Sequence, residues 1–149
     1  MKYIRWWFFI VSIFIVSPVF CITESKILTI TPDKLYALLS TDRKEVIHVI
    51  SVLPPFIYRD CNILSSINIP IDQLIRNEEL KKWDKHDTII LYSADSSCPL
   101  SQYAFETMHE LGFVNVAILV GGLKEWNHKA FPTNGLCKAG FLKSLSQKA

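Results

Sequence analysis

The chain has 149 residues, half of them apolar, with 16 basic and 14 acidic side chains. That length supports one domain with one core and excludes a multidomain enzyme. The near balance of charge offers none of the basic surface that nucleic acid demands, so that class of partner is excluded.

The apolar residues are unevenly spread. Lys2 and Arg5 precede a run over residues 6–16 that is apolar except for Ser12, followed by Ser17, Pro18, Val19, Phe20 and Cys21. A short basic start, an apolar stretch of roughly ten residues and a proline break describe a secretory signal peptide. At about 17 residues to Ile22 the run is marginal for spanning a bilayer, which takes roughly 20. Cleavage after Cys21 is preferred, giving residues 1–21 as signal peptide and 22–149 as the domain. An uncleaved N-terminal membrane anchor comes second. A lipid-modified Cys21 comes third, because bulky Phe20 stands where lipoprotein signals carry a small residue. The domain is therefore expected to be exported to the periplasm or another extracytoplasmic space, touching membrane only if residues 1–21 remain. Loss of Lys2 and Arg5 leaves 14 basic against 14 acidic residues. Of the four cysteines, Cys61, Cys98 and Cys137 survive cleavage. An odd number in an oxidising compartment leaves at least one thiol free or paired outside the chain.

Beyond Ile22, strand-like and helix-like segments alternate. Residues 27–30 form a short β-rich run. Thr31 then offers an N-cap, Pro32 suits the first helical position, and Leu35, Leu38 and Leu39 make one helical face. Residues 46–50 read as a buried strand and residues 67–69 as another, ended by Pro70. The pattern predicts a helix over 72–83, with Leu74, Ile75, Leu80 and Trp83 on its apolar side. Residues 88–92 are the clearest buried strand. A helix over 99–111 stops at Gly112, residues 116–120 form the next strand, and Gly121-Gly122 turn into a short helix ending near Trp126. The tail, residues 136–149, carries Phe141, Leu142 and Leu145 at helical spacing and reads as a last helix. Alternation of this kind implies an α/β fold, a central parallel sheet with helices on both faces.

Sites in open parallel sheets form at the carboxyl ends of strands. The candidate loop is Ser93-Ala94-Asp95-Ser96-Ser97-Cys98. With Pro99 at the first helical position, Cys98 is expected at the N-cap, where backbone N–H groups and the helix dipole favour the thiolate. Cys98 is thus the candidate nucleophile; the competing reading is an unreactive small residue filling a loop. Ser93, at the very end of the strand, is the other candidate. A serine nucleophile needs a base and an orienting partner, and His48, His86, His109 and His128 are scattered. The same scatter argues against a metal site, and no cofactor is expected.

Several segments resemble the second half of a rhodanese domain: Leu91-Tyr92-Ser93, Cys98-Pro99-Leu100-Ser101, Leu111 to Val116, and Gly121-Gly122-Leu123-Lys124-Glu125-Trp126. Upstream, Ser65-Ser66-Ile67-Asn68-Ile69-Pro70 is similar to the stretch entering that family's third strand. The match spans about residues 30–132, and its Gly-Gly-x-x-x-Trp ending is the most specific part. The resemblance implies sulfane-sulfur transfer, in which a cysteine opening the loop is held as a persulfide among backbone amides. Small sulfur compounds or thiol proteins would then be the partners, and Ala94, Asp95, Ser96 and Ser97 would form the binding loop.

The departures from the family pattern are specific. Its catalytic cysteine falls on Ser93, which cannot form a persulfide, while Cys98 resembles a second cysteine some relatives carry five residues later. Its Asp-x-Arg appears as Ser51-Val52-Leu53 and its Gly-His-Ile as Cys61-Asn62-Ile63. The related phosphatases need an arginine in the loop, and none follows Arg76. With no Lys or Arg in the loop and Asp95 adding negative charge, thiosulfate would be poorly received. Two readings result: a sulfurtransferase or thiol-exchange protein using Cys98, and a catalytically inactive rhodanese-like binding module. In the fold implied by the resemblance, Cys61 and Cys98 lie at opposite sheet edges, roughly 16 Å apart for a strand of about five residues. A disulfide requires Cα atoms within about 7 Å, so that pair is disfavoured, and Cys137 stays open as a partner.

Overall fold

In the computed structural model, which describes residues 27–41 and 46–143, the apolar run Thr88–Tyr92 (β5) is flanked by parallel partners on both sides. Ile47–Ser51 (β2) pairs along its whole length, Ile47 opposite Thr88 and Ser51 opposite Tyr92. Val116–Leu119 (β6) lies on the other side. Thr29–Ile30 (β1) extends the sheet beyond β6, and Ile67–Asn68 (β4) extends it beyond β2. The order is β1-β6-β5-β2-β4.

Alternation along β5 sends side chains to both faces. Ile90 and Tyr92 join a core with Leu35 of Pro32–Leu39 (α1) and with Leu123 and Trp126 of Gly122–His128 (α4). Ile89 and Leu91 join a second core with Ala104, Phe105 and Met108 of Leu100–Glu110 (α3). Helices therefore cover both faces, as the sequence implied. Helix α1 begins as expected, with Thr31 Oγ1 accepting from the Lys34 amide at 3.4 Å and Pro32 at the first position.

Several elements differ from expectation. Residues 72–83 are not one helix; two 3-10 turns occur instead, Ile71–Gln73 and Leu80–Lys82. Asn77 Oδ1 accepts from the Glu79 amide at 2.9 Å and the Leu80 amide at 3.4 Å. A side chain competing for backbone donors in this way interrupts a helix. Leu74 and Leu80 are nonetheless buried, while Ile75 is 67 % exposed. A short helix, Pro55–Asp60 (α2), follows β2, and Cys61–Ile63 (β3) pairs antiparallel with Thr133–Gly135 (β7) in a separate two-stranded sheet. Of the tail expected to be helical, residues 136–139 are not, and the described helix is Gly140–Lys143 (α5). Residues 1–21, with the leader, and residues 144–149 lie outside the described residues.

Candidate functional site

Strands β2, β5 and β6 all end on one edge of the sheet, and the loop from Ser93 to Pro99 leaves β5 there. Ser93 is 1 % exposed. Its Oγ donates to Ser101 Oγ at 3.2 Å, in the first turn of α3. Its carbonyl accepts from the Leu123 amide at 2.9 Å, and the Ala94 carbonyl accepts from the Lys124 amide at the same distance. The start of α4 thus holds the loop from below. Gly122 makes this contact possible: it sits at φ 58°, and a Cβ there would fall 2.5 Å from the Ser93 oxygen.

Asp95 satisfies donors within the loop itself. Its Oδ1 accepts from the Ser97 amide at 2.9 Å and the Ser97 hydroxyl at 2.7 Å. Its carbonyl accepts from the Cys98 amide at 3.3 Å. The Ser97 hydroxyl, and after it the Ser97 amide and the nearby Lys124 charge, hold the Asp95 carboxyl below its usual range. Asp95, Ser96 and Ser97 face Gly121, Lys124 and Glu125 across a cleft of about 240 Å³. Ala94 does not line this cleft; it packs against the core.

One expectation about this loop is corrected. Pro99, at φ −76° and ψ −9°, is the cap residue of α3, so Cys98 lies one position outside it. The Asp95–Cys98 turn delays the helix by that residue. Cys98 is a free thiol, half-buried. The loop itself holds no Lys or Arg, but Lys124 of α4 borders the cleft. Its placement behind the Gly-Gly turn was the available signal.

Around the loop, the residues replacing the family's polar positions are buried. Ser51, Val52 and Leu53 are all 2 % exposed or less. Val52 lines a largely apolar groove of about 390 Å³ with Pro54, Pro55, Pro70, Ile71 and Leu100. Asn62 donates to the Tyr58 carbonyl at 2.9 Å. The Ile63 amide donates to the Tyr92 hydroxyl at 3.3 Å, and Ser66 Oγ lies 2.9 Å from the same oxygen. Burial pushes the Tyr92 phenol up to about 12. Cys61 forms a disulfide with Cys137.

No histidine serves Ser93. His48 pairs with Asp87 at 3.0 Å and stacks on Trp83 with ring centroids 3.7 Å apart. It sits opposite Ile89 in the sheet, about four residues from the Ser93 end, or roughly 13 Å. Among the described residues, no group of three or more His, Cys, Asp or Glu is placed to hold a metal.

A family model for the rhodanese-like domain matches residues 31–129. The chain belongs to the rhodanese-like family. Among solved structures it is similar to the BH2092 protein from Bacillus halodurans, at 25 % identity and a TM-score of 0.68, covering 81 % of this chain and 90 % of that one. It is also similar to a rhodanese-related protein from Thermoplasma volcanium, at 27 % identity and a TM-score of 0.57, covering 72 % and 97 % respectively. A thiosulfate sulfurtransferase from Pseudomonas aeruginosa shares the fold at 21 % identity and a TM-score of 0.64, over 73 % of this chain and 20 % of that one. Among curated proteins, none matches the chain. The matched residues include the Ser93–Pro99 loop and the Gly121-Gly122 turn beneath it.

Proposed function

We propose that this rhodanese-like domain is a binding module that docks a thiol protein at the carboxyl edge of its sheet and does not perform thiosulfate sulfur transfer. The observation that carries this reading is Ser93: a hydroxyl, 1 % exposed and bonded to Ser101, stands where the family places its nucleophile. Asp95 adds to it by occupying the Ser97 amide with its own carboxylate, where an incoming anion would need that donor. A charged carboxylate also repels a dianion. The domain is proposed to act outside the cytoplasm. The basic and apolar leader supports that location, and so does the Cys61–Cys137 disulfide, which persists in oxidising compartments.

Cys98 supports a second reading, sulfur or thiol exchange, because it is a free, half-buried thiol two residues before Leu100, which lines the apolar groove. Purified protein incubated with thiosulfate and cyanide separates the two. The binding module yields no thiocyanate above the protein-free blank. A robust rate that disappears in Cys98→Ala would replace it with a sulfurtransferase built on Cys98. N-terminal sequencing of the mature protein tests the location: a start near Ile22 supports cleavage, and an intact Met1 leaves only the anchored form.

A further inference from the structure

Cys61 and Cys137 are 76 residues apart in sequence, with Cα atoms 4.5 Å apart across the disulfide. Cys61 is fully buried at the start of β3, whereas Cys137 is half-buried just beyond β7. Cys137 holds φ at 50°. A residue with a side chain keeps such a left-handed conformation only where its surroundings enforce it. Besides the three-residue β3–β7 ladder, the described residues of this segment have few attachments. The Cys137 amide donates to the Asp60 carbonyl at 2.8 Å, the Ala139 amide to the Asp60 carboxylate at 2.8 Å, and Leu142 rests on the core. Leu136, between β7 and Cys137, is 74 % exposed. No described residue of the tail belongs to the five-stranded sheet.

We infer that this disulfide is a redox-controlled clasp: a dithiol protein reduces it, and residues 133–143 then detach while the five-stranded sheet stays folded. One thiolate of the dithiol attacks Sγ of Cys137, the more accessible residue, and Cys61 leaves as a thiolate that takes up a proton. The second thiol of the dithiol then displaces Cys137 as a free thiol. Two electrons pass to the domain's disulfide, and the dithiol departs as its own disulfide.

The clasp has something to control. Helix α5 packs on α4, the helix whose first turn supports the Ser93 loop. The Pro132 carbonyl, next to β7, accepts from the Trp126 indole at 3.0 Å and from the Leu64 amide at 3.2 Å. Leu64, Trp126 and Pro132 wall a cleft of about 330 Å³ together with Tyr36 and Leu39. Detachment of β7 frees the chain on the C-terminal side of Pro132, leaving this wall of the cleft held by those two hydrogen bonds alone. None of these steps uses Ser93 or Cys98, so the clasp operates whether or not the loop transfers sulfur.

Hydrogen exchange of the whole protein, read by mass spectrometry with and without dithiothreitol, tests this. Local opening predicts that peptides covering 133–143 exchange at least about tenfold faster on reduction, with peptides covering 88–92 and 116–119 unchanged. Cys137→Ser without reductant should reproduce the reduced pattern. The clasp is overturned by tail protection that survives reduction, by protection lost together in the tail and central strands, or by a disulfide that dithiothreitol reduces only in denaturant.

Discussion

Ser93 Oγ donates to Ser101 Oγ at 3.2 Å, tying the end of β5 to the first turn of α3. Both residues are buried, at 1 % and 7 % exposure, and the Ser93 hydroxyl also makes a 3.5 Å approach to the Asp95 carbonyl. Ser93→Ala removes the donor and leaves Ser101 facing a methyl group. The expected loss is about 1 kcal/mol, seen as a Tm lowered by roughly 4 °C. An unchanged Tm would show that this hydroxyl pair contributes nothing to the fold.

Ser93→Cys is nearly isosteric and places a thiol at the family's sulfur-carrying position. It should raise thiocyanate formation above the wild-type level more than any other single substitution. Adding Asp95→Gly should raise it again, because the Ser97 amide is then free to face an anion. Quantifying thiocyanate for the three proteins checks both steps. A double variant no faster than Ser93→Cys would rule out Asp95 as the obstacle.

The Asp95 carboxyl, with an unperturbed value of 3.8, titrates lower in the folded chain because the Ser97 hydroxyl bonds its charged form. A carboxylate with a depressed folded-state pKa contributes stability above its unfolded value and loses that contribution as pH falls through the folded value. The loop should therefore be insensitive to pH between about 5 and 8 and loosen only below 3.8. NMR titration of the Ser97 amide should give a midpoint under 3.8, moving up in Lys124→Met as the nearby positive charge is lost. A midpoint at or above 3.8 in the wild type would contradict the Asp95–Ser97 contact.

Gly122→Ala meets two obstacles at once, φ at 58° and a Cβ position 2.5 Å from the Ser93 oxygen and 3.0 Å from the Asp95 amide nitrogen. Backbone cannot yield cheaply there, so the expected cost is at least about 2 kcal/mol. Denaturant unfolding measures it. A neutral substitution would show that α4 does not press on the loop as described.

How much of this was readable beforehand depended on how local each signal is. The strand Thr88–Tyr92 appeared at its expected boundaries because a fully buried strand writes itself as a continuous apolar run. The stretch over 72–83 misled because Leu74 and Leu80 are buried as a helix face would be, while Asn77 diverts the backbone between them. The β3–β7 pair left no pattern. Asn62 and Asn134 face each other across three-residue strands more than 70 positions apart, so only the fold brings them together. The same distance hid the Cys61–Cys137 bond; the sequence disfavoured only the Cys61–Cys98 pair and left the partner of Cys137 open. At the site, the positions of Ser93, Asp95 and Cys98 were legible, but their occupancy was not. Whether a hydroxyl is exposed, which amides a carboxylate takes, and that Lys124 reaches in from another helix are properties of packing.

The sheet ends on two-residue strands at both sides, β1 and β4. Among the described residues, a neighbouring molecule that tried to extend it laterally would meet an outermost strand of only two residues on either flank, too little to align a register. Long, flat borders are what allow chains to stack into fibrils. Concentrated protein, heated short of unfolding, should therefore resist growth by strand addition, and any aggregation should begin from opened rather than native molecules.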